Sequence, residues 1–232
     1  MRPLPAIGLI APETEGGRDM IKVLTGRDAI LRGPELAEMF RQRDRVFRQE
    51  LGWNVTSENG QERDAYDAMN PVYLLAYDED RLVGSTRLLP TTSSYMLADV
   101  FPQLLDGRRP PRSARVWEGT RLAVEPAARG AAGLRGLRRY AAEIFCGVVE
   151  CCLAYGIEEF VTVYDDRVAE LYRHFGCEPR WSGEWQNVGG TQARASLFTI
   201  SDEVLERIRR RGGVAGPVIA EAPWLNDARL AA

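Results

Sequence analysis

Six charged side chains lie inside otherwise apolar stretches of this sequence. They are three arginines and three acids: Arg43, Arg87, Arg121, Asp64, Asp67 and Glu118. Because an unpaired buried charge is costly, each of them must meet an opposite charge or an ionic group of a ligand. In such a network carboxylates can hold an amine or a sulfonium, while arginines hold a carboxylate and restrain the acids. The set therefore favours a zwitterionic or cationic substrate.

This chemistry is densest between Arg43 and Asp67, in the segments R-D-R-V-F-R-Q-E-L-G-W and E-R-D-A-Y-D. The apolar residues before and after Arg43 recur at helical spacing, and on a helical projection Arg43 falls in the middle of their stripe. A structural ion pair would satisfy this inward guanidinium as well as a ligand anion would. Phe47 and Trp53 in the same stretch could cover a flat or cationic group by stacking.

Other reaction chemistries have little support. The sequence has no G-x-S-x-G, no Walker A loop and no dinucleotide fingerprint. His174 is the only histidine, and its position near a predicted helix C-terminus favours a surface residue. The four cysteines show no C-x-x-C spacing, so we expect neither a metal site nor a disulfide framework. Thiols buried in an apolar helix fit a reducing cytoplasm.

Composition narrows the class of protein. The chain has 232 residues, of which 45% are hydrophobic and 27% charged, which predicts one folded domain. A net charge of -3 argues against a nucleic-acid partner. No stretch is long and apolar enough for a membrane span or a secretion signal, so a cytoplasmic protein without a membrane partner is expected.

The charged residues must be positioned by the predicted elements. Residues 1–19 are predicted to be a flexible arm, 20–213 the functional domain and 214–232 a tail. Within the domain we predict alternating strands and helices. The first half has a strand at 20–24, a helix from 34 through 47, a polar loop at 54–62, a hairpin at 71–77 and 82–89, and a short helix at 96–105. The second half has a strand at 115–124, a long helix at 130–156, a strand, a helix capped by Asp165 or Asp166 and ended at Gly176, a strand at 194–200 and a helix capped by Ser201. This order predicts an α/β or α+β fold, with one mixed central sheet flanked by helices.

Glu118 and Arg121 pose a geometric problem within their predicted strand. They are three positions apart in the sequence, and strict alternation of side chains along a strand would place residues at an odd spacing on opposite faces of the sheet. A β-bulge at Gly119 would turn both side chains toward one cleft.

The order and spacing of six motifs carry a family resemblance. R-D-R-V-F, L-G-W, E-R-D-A-Y-D, S-T-R-L-L-P-T-T, M-L-A-D-V-F and V-W-E-G-T-R together resemble the acyl-homoserine-lactone synthases, the LuxI-like autoinducer synthases. The resemblance covers residues 20–122 closely and continues more loosely to 176. It implies a fold similar to the GNAT N-acetyltransferases. It also implies acyl transfer from acyl carrier protein or acyl-coenzyme A to the amine of S-adenosylmethionine, with lactonisation and release of methylthioadenosine. S-adenosylmethionine would be a substrate, without a further cofactor, and the product a quorum-sensing signal.

The resemblance assigns roles to residues of this sequence. The implied catalytic residues are Glu118, Arg87 and Asp64, with Glu118 as the base, directly or through a water. The implied substrate-binding residues are Arg43, Phe47, Trp53, Asp67, Arg121 and Thr162, of which Thr162 resembles a position that contacts the acyl chain. A purely structural role for Asp67 and Arg87, holding a loop down, is the alternative. Arginines on the long helix could face an acidic carrier protein or only solvent: Arg129, Arg135, Arg138 and Arg139.

Two other functions stay open at this point. An ordinary N-acetyltransferase of the GNAT type would carry an R/Q-x-x-G-x-G/A loop, which the glycines at 130, 133 and 136 do not reproduce. A non-catalytic ligand sensor could keep the fold, although retention of Glu118, Arg87 and Asp64 speaks against it. The acyl chain length, the donor and the oligomeric state are not fixed by the sequence.

Overall fold

The computed structural model describes residues 20–25, 33–125 and 134–221. The predicted arm, the predicted start of the long helix at Gly130 and most of the predicted tail lie outside these ranges. The strands are β1 (Met20–Thr25), β2 (Ser57–Glu58), β3 (Gln61–Glu62), β4 (Val72–Asp78), β5 (Arg81–Pro90), β6 (Val116–Val124), β7 (Glu159–Asp165), β8 (Pro179–Ser182), β9 (Gln186–Val188), β10 (Thr191–Thr199) and β11 (Ile219–Glu221). The α-helices are α1 (Gly33–Arg43), α2 (Met96–Asp99), α3 (Leu134–Ala154), α4 (Asp166–Phe175) and α5 (Asp202–Gly212).

One mixed sheet forms the centre of the fold. Its strand order is β11-β1-β4-β5-β6-β7-β10-β8, and β9 adds to β10. The β1–β11 and β6–β7 pairs are parallel, whereas the other pairs are antiparallel. This confirms the predicted mixed sheet with flanking helices. Ile219–Glu221 lies in the segment predicted as a tail, yet it pairs with β1 at the edge of the sheet.

The sheet opens between its two central parallel strands. β6 and β7 pair only from Val116 opposite Glu159 to Gly119 opposite Thr162. Beyond that point β6 stays with β5, and β7 stays with β10 as far as Asp165. Because both strands continue without pairing to each other, a gap in the sheet follows Gly119 and Thr162.

The helices begin and end where their capping residues predict. Asp165 accepts a hydrogen bond from the Val168 amide at 3.0 Å at the start of α4, and Ser201 caps α5. Gly176 follows α4 with a φ of 71°, a left-handed conformation that glycine adopts without steric cost. α3 covers one face of the sheet with a buried apolar stripe that forms the main core. The predicted caps at Asp165, Ser201 and Gly176 are confirmed.

Two predicted helices are divided in the structure. α1 ends at Arg43 and continues as a π-helical segment, Asp44–Glu50, in which the Leu51 amide donates to the Val46 carbonyl. The predicted helix at 96–105 is α2 followed by a 3₁₀ turn, Pro102–Leu105, because proline lacks the amide hydrogen that a continuous helix needs.

The predicted polar loop at 54–62 contains the short β2–β3 hairpin. β8 and β9 were not predicted.

The bulge lies at a different residue from the predicted one. Gly119 pairs regularly with Leu88 on one side and Thr162 on the other, so the prediction of a bulge there is wrong. The register instead shifts between Thr120, which pairs with Arg87, and Ala123, which pairs with Ser85. Arg121 lies between these two residues of β6 and has a φ of 57°. One extra residue in β6 still brings Glu118 and Arg121 to the same face.

Gly119 is required for packing instead. A Cβ atom on this residue would overlap the ring of Phe160 on the neighbouring strand. We expect Gly119→Ala to lower the free energy of unfolding by about 1–3 kcal/mol, because the aromatic ring has to leave its site. Urea denaturation of both proteins measures the difference.

A matched control is Gly33→Ala, where the added methyl meets no atom within 4 Å. This variant should be neutral or slightly stabilised, since alanine favours a helix more than glycine does. Equal stability of the Gly119→Ala variant and the parent protein would contradict the overlap with Phe160.

Candidate active site

Three arginines and three carboxylates form a closed ring of alternating charge beside α1. The order around the ring is Arg43, Glu62, Arg121, Asp64, Arg87, Asp67 and back to Arg43. Arg43, Glu62 and Arg87 are fully buried. Since each guanidinium contacts two carboxylates, the buried charges neutralise one another and their hydrogen-bonding groups are satisfied.

The individual contacts have the geometry of strong ion pairs. Arg43 donates from Nη1 and Nη2 to the two oxygens of Asp67, at 2.8 and 3.1 Å, and from Nε to Glu62. Arg87 donates in the same bidentate way from Nη1 and Nη2 to the two oxygens of Asp64, at 2.6 and 2.9 Å. Its Nη1 also donates to Asp67 Oδ1, at 2.7 Å. Arg121 closes the ring through Nη2, which lies 3.0 Å from Glu62 and 2.8 Å from Asp64.

The arginines of the ring favour the ionised form of its two aspartates. Burial opposes the charge of Asp67, but Arg43 and Arg87 outweigh it and hold the pKa of this carboxyl well below its usual range. The same balance of burial and Arg87 lowers the pKa of Asp64. Burial also opposes the charge of Arg43, yet Asp67 and Glu62 raise the pKa of its guanidinium. Both aspartates are therefore carboxylates at neutral pH.

The E-R-D-A-Y-D motif places its acids by a local hydrogen-bond pattern. Asp64 precedes a 3₁₀ turn, Ala65–Ala68, and accepts from the Tyr66 amide at 2.9 Å, while Asp67 accepts from the Asp64 amide at 2.8 Å. The Tyr73 hydroxyl on β4 also donates to Asp67, at 2.7 Å. This reciprocal cap orients both side chains toward the arginines.

Glu62 is the ring member that sequence reasoning missed. It was placed in a polar loop, because a short polar stretch with a glycine is typical of a loop. In the structure it lies on β3 and its carboxylate joins Arg43 to Arg121. Its position two residues before Asp64, on the side of an extended segment that Asp64 shares, is the signal that could have identified it.

Glu118 lies outside the ring, in a separate buried environment. Its carboxylate accepts hydrogen bonds from the amides of Met96 and Leu97, at 2.8 and 2.6 Å, where α2 begins. Burial raises the pKa of Glu118 to about 7, although these two amides favour the charged form. The Met96 sulfur lies 3.2 Å from Arg87 and 3.5 Å from Arg121, so this residue links Glu118 to the ring. A carboxyl with this pKa can exchange a proton near neutral pH.

A cavity of about 630 Å³ connects the ring with the interior on the opposite face of the sheet. On the ring side its wall includes Phe47, Trp53, Asp64, Met96, Glu118 and Arg121. On the side of α3 and α5 the lining is almost wholly apolar and aromatic, and includes Phe145, Phe160, Tyr172, Phe198 and Ile208. Residues of both groups line one cavity because it passes through the gap between β6 and β7.

The predicted site residues fall into two groups. Six of them line the cavity: Phe47, Trp53, Asp64, Glu118, Arg121 and Thr162. Arg43, Asp67 and Arg87 lie behind them in the ring, where all three contact Asp64. The rings of Phe47 and Trp53 stack with centroids 5.2 Å apart. The Trp53 Nε1 is buried without a hydrogen-bond partner in the described ranges, so it can donate to a ligand.

The arginines considered for a carrier-protein surface have acidic neighbours. Arg138 pairs with Glu170 at 3.2 Å, and Arg139 pairs with Glu143 at 3.5 Å. Arg129 and the side chain of Arg135 lie outside the described residues. This helix face therefore carries less free positive charge than its sequence suggests.

The described residues show two further features. They hold no cluster of three or more histidine, cysteine, aspartate or glutamate side chains arranged for a metal ion. None of their helices combines the length and the apolar character that a bilayer crossing needs.

Comparison with known proteins identifies similar chains. The sequence profile of a family described as autoinducer synthase matches residues 29–219. An acyl-homoserine-lactone synthase of Aeromonas salmonicida is 40% identical over 151 residues, which cover 65% of this chain and 72% of that protein. The structure of BjaI, a coenzyme-A-dependent acyl-homoserine lactone synthase with S-adenosylmethionine and isopentyl-coenzyme A, superposes with a TM-score of 0.77 at 26% identity, over 92% of this chain and all of the other.

A more distant similarity concerns the fold alone. An N-acetyltransferase structure from Lactobacillus plantarum superposes with a TM-score of 0.51 at 14% identity, over 78% of this chain and 99% of the other. The predicted likeness to the GNAT fold is thereby confirmed.

The ring should dominate the stability of this region. We expect Glu62→Gln to lower the free energy of unfolding by about 3 kcal/mol, because Arg43 and Arg121 lose the charge that compensates them in a buried site. Urea denaturation at neutral pH measures this loss. Glu58→Gln, on the same hairpin but exposed, is the matched control and should change stability by less than about 0.5 kcal/mol. Equal small effects of both substitutions would show that the ring is not a stabilising unit.

Proposed function

The chain belongs to the autoinducer synthase family, and from this premise we propose that it transfers an acyl group to the amine of S-adenosylmethionine and closes the product to an acyl-homoserine lactone. The family resemblance of the sequence motifs is confirmed by the same matches. The observation that carries the proposal is the cavity that crosses the sheet beside Glu118. It offers a charged compartment and an apolar compartment that meet at one carboxyl group.

The charged compartment suits S-adenosylmethionine. This substrate carries an amine, a carboxylate and a sulfonium, and Asp64 and Arg121 present both signs of charge at the cavity wall. The stacked Phe47 and Trp53 offer an aromatic wall for the adenine or the sulfonium. The ring keeps Asp64 ionised, and an ionised Asp64 can bind a cationic group.

The apolar compartment suits the acyl chain. Side chains from α3, β7, β10 and α5 surround it, and Thr162 lies where the gap begins. Burying apolar surface there contributes roughly 25 cal/mol per Å² to binding of the chain. The thioester carbonyl then lies between the two compartments, next to Glu118.

Glu118 supports the acyl transfer as a base. The amine attacks the thioester carbonyl, a carbon–nitrogen bond forms and the carbon–sulfur bond breaks, while the ammonium proton passes to Glu118 directly or through a water. The donor leaves as a thiolate, which takes the proton back from Glu118 and becomes the thiol. In lactonisation the substrate carboxylate attacks the carbon beside the sulfonium, and the breaking carbon–sulfur bond releases methylthioadenosine. A base with a pKa near 7 can accept the amine proton and return it within one cycle.

Both acyl carrier protein and acyl-coenzyme A are donors compatible with this site. The similarity to a coenzyme-A-dependent synthase supports coenzyme A.

The described free cysteines, three of them buried, fit a location in the reducing cytoplasm.

The proposed reaction is tested by its two products. Incubation with S-adenosylmethionine and an acyl thioester should release methylthioadenosine and an acyl-homoserine lactone in equal amounts, measured by liquid chromatography with mass spectrometry. An N-acetyltransferase would acylate an amine without forming methylthioadenosine. A sensor would bind S-adenosylmethionine and form neither product. Either of those results would refute the proposed synthase activity.

The role of Glu118 gives the reaction a specific pH dependence. The base is active when deprotonated, so kcat/KM should rise with pH through about 7. Glu118→Gln should lower kcat by about 10²–10⁴-fold and remove this limb, while retaining affinity for S-adenosylmethionine. A pH series of initial rates and calorimetric binding measure both effects. Full turnover of a folded Glu118→Gln variant would exclude Glu118 as the base.

A further inference from the structure

One wall of the charged compartment is a short connecting segment. Residues 51–56 join the π-helical segment to β2, and they belong to neither a helix nor a strand. Five of the six line the cavity: Leu51, Trp53, Asn54, Val55 and Thr56. Without regular backbone pairing along its length, the shape of such a segment depends on how its two ends are held.

Both ends are held by one carboxylate, that of Asp44. Before the segment, Asp44 accepts from Nε and Nη2 of Arg48, at 2.6 and 3.2 Å, and from Nε2 of Gln49, at 2.7 Å. After the segment, it accepts from the Ser57 hydroxyl at 2.5 Å. Asp44 is fully buried, and the hydrogen bonds from Arg48 lower its pKa to about 2. A charged acceptor of this kind forms stronger hydrogen bonds than a neutral one.

Asp44 adjoins the ring of alternating charge without belonging to it. Arg43 binds Glu62 on β3. Asp44, the next residue, binds Ser57, which is paired with Glu62 across the β2–β3 hairpin. Two consecutive residues therefore hold both strands of the hairpin to the end of α1. The attachment through Asp44 is the one that spans the segment containing Trp53.

We propose that Asp44 is a positioning residue of the S-adenosylmethionine site, which acts through the aromatic wall of Phe47 and Trp53. The role rests on the proposed function, in which these rings cover the adenine or the sulfonium. Phe47 lies on the π-helical segment and Trp53 on the segment that follows, so their stacking at 5.2 Å requires both parts to keep their relative position. A wall that is already in its binding shape avoids the cost of ordering it when the ligand binds.

Asp44→Ala should therefore weaken the binding of S-adenosylmethionine about tenfold, since two aromatic side chains must be reordered. KM for S-adenosylmethionine should rise by the same factor, while kcat and KM for the acyl donor stay unchanged. Asp44→Asn keeps one acceptor oxygen and should lose less affinity. Calorimetric binding and initial rates measure these effects.

A double substitution tests whether Asp44 acts through the tryptophan ring. In a Trp53→Ala background, Asp44→Ala should weaken the binding of S-adenosylmethionine no further, because the ring that Asp44 positions is already missing. The full loss of affinity in that background would overturn the proposed action through Trp53.

Glu125→Ala is the matched control. Glu125 is also a buried carboxylate, and it accepts from Nε of Arg45, the residue after Asp44, at 3.0 and 3.2 Å. Neither Glu125 nor Arg45 is part of the cavity wall. Loss of this ion pair should lower stability without changing the affinity for S-adenosylmethionine. Equal losses of affinity in the two alanine variants would reduce Asp44 to a structural ion pair and overturn its positioning role.

Hydrogen exchange measures the same role without ligand or turnover. In Asp44→Ala the amides of residues 51–56 should exchange about tenfold faster than in the parent protein. They include the Trp53 amide, which donates to the Phe47 carbonyl at 2.8 Å. Glu125→Ala should leave these amides at the parent rate. Unchanged exchange in Asp44→Ala would overturn the inference whatever the activity, whereas faster exchange in a protein that binds no S-adenosylmethionine would refute the proposed function alone.

Discussion

A guanidinium that is buried away from water must pair with an anion. In this fold three guanidiniums and three carboxylates pair with one another in a closed ring. The ring ties together segments that are far apart in the chain: the end of α1, the β2–β3 hairpin, the turn after it, β5 and β6. Removal of one member leaves its neighbours as uncompensated buried charges, which cost more than an ordinary lost contact. The arrangement of the charged compartment thus depends on a single electrostatic unit.

The second constraint is the incomplete pairing of β6 with β7. Two parallel strands that separate after Gly119 and Thr162 leave a passage through the sheet. A continuous sheet would isolate the charged compartment from the apolar one. Glu118 lies on the paired part of β6, next to the passage, and its burial there keeps its carboxyl protonatable near neutral pH. The burial of Glu118 beside the passage therefore explains both its place in the site and its raised pKa.

Local signals in the sequence predicted much of this arrangement. The helix caps at Asp165 and Ser201 depend on neighbouring residues, and the inward position of Arg43 follows from helical periodicity, so both were accessible. Glu62 was missed, because a two-residue strand has too short a pattern to show by itself which side faces inward, and only its spacing from Asp64 indicated it.

The irregularity at Arg121 has a consequence for how this protein can change in length. Its left-handed backbone, uncommon for a residue with a side chain, absorbs one extra residue in β6. With the bulge kept, deletion or insertion of a single residue between Glu118 and Arg121 would turn one of the two side chains to the opposite face of the sheet. A substitution in this strand leaves the number of residues between the two side chains unchanged, whereas an insertion or deletion of one residue does not. The count of residues between the base and the ring is thus as much a part of the active site as their identities.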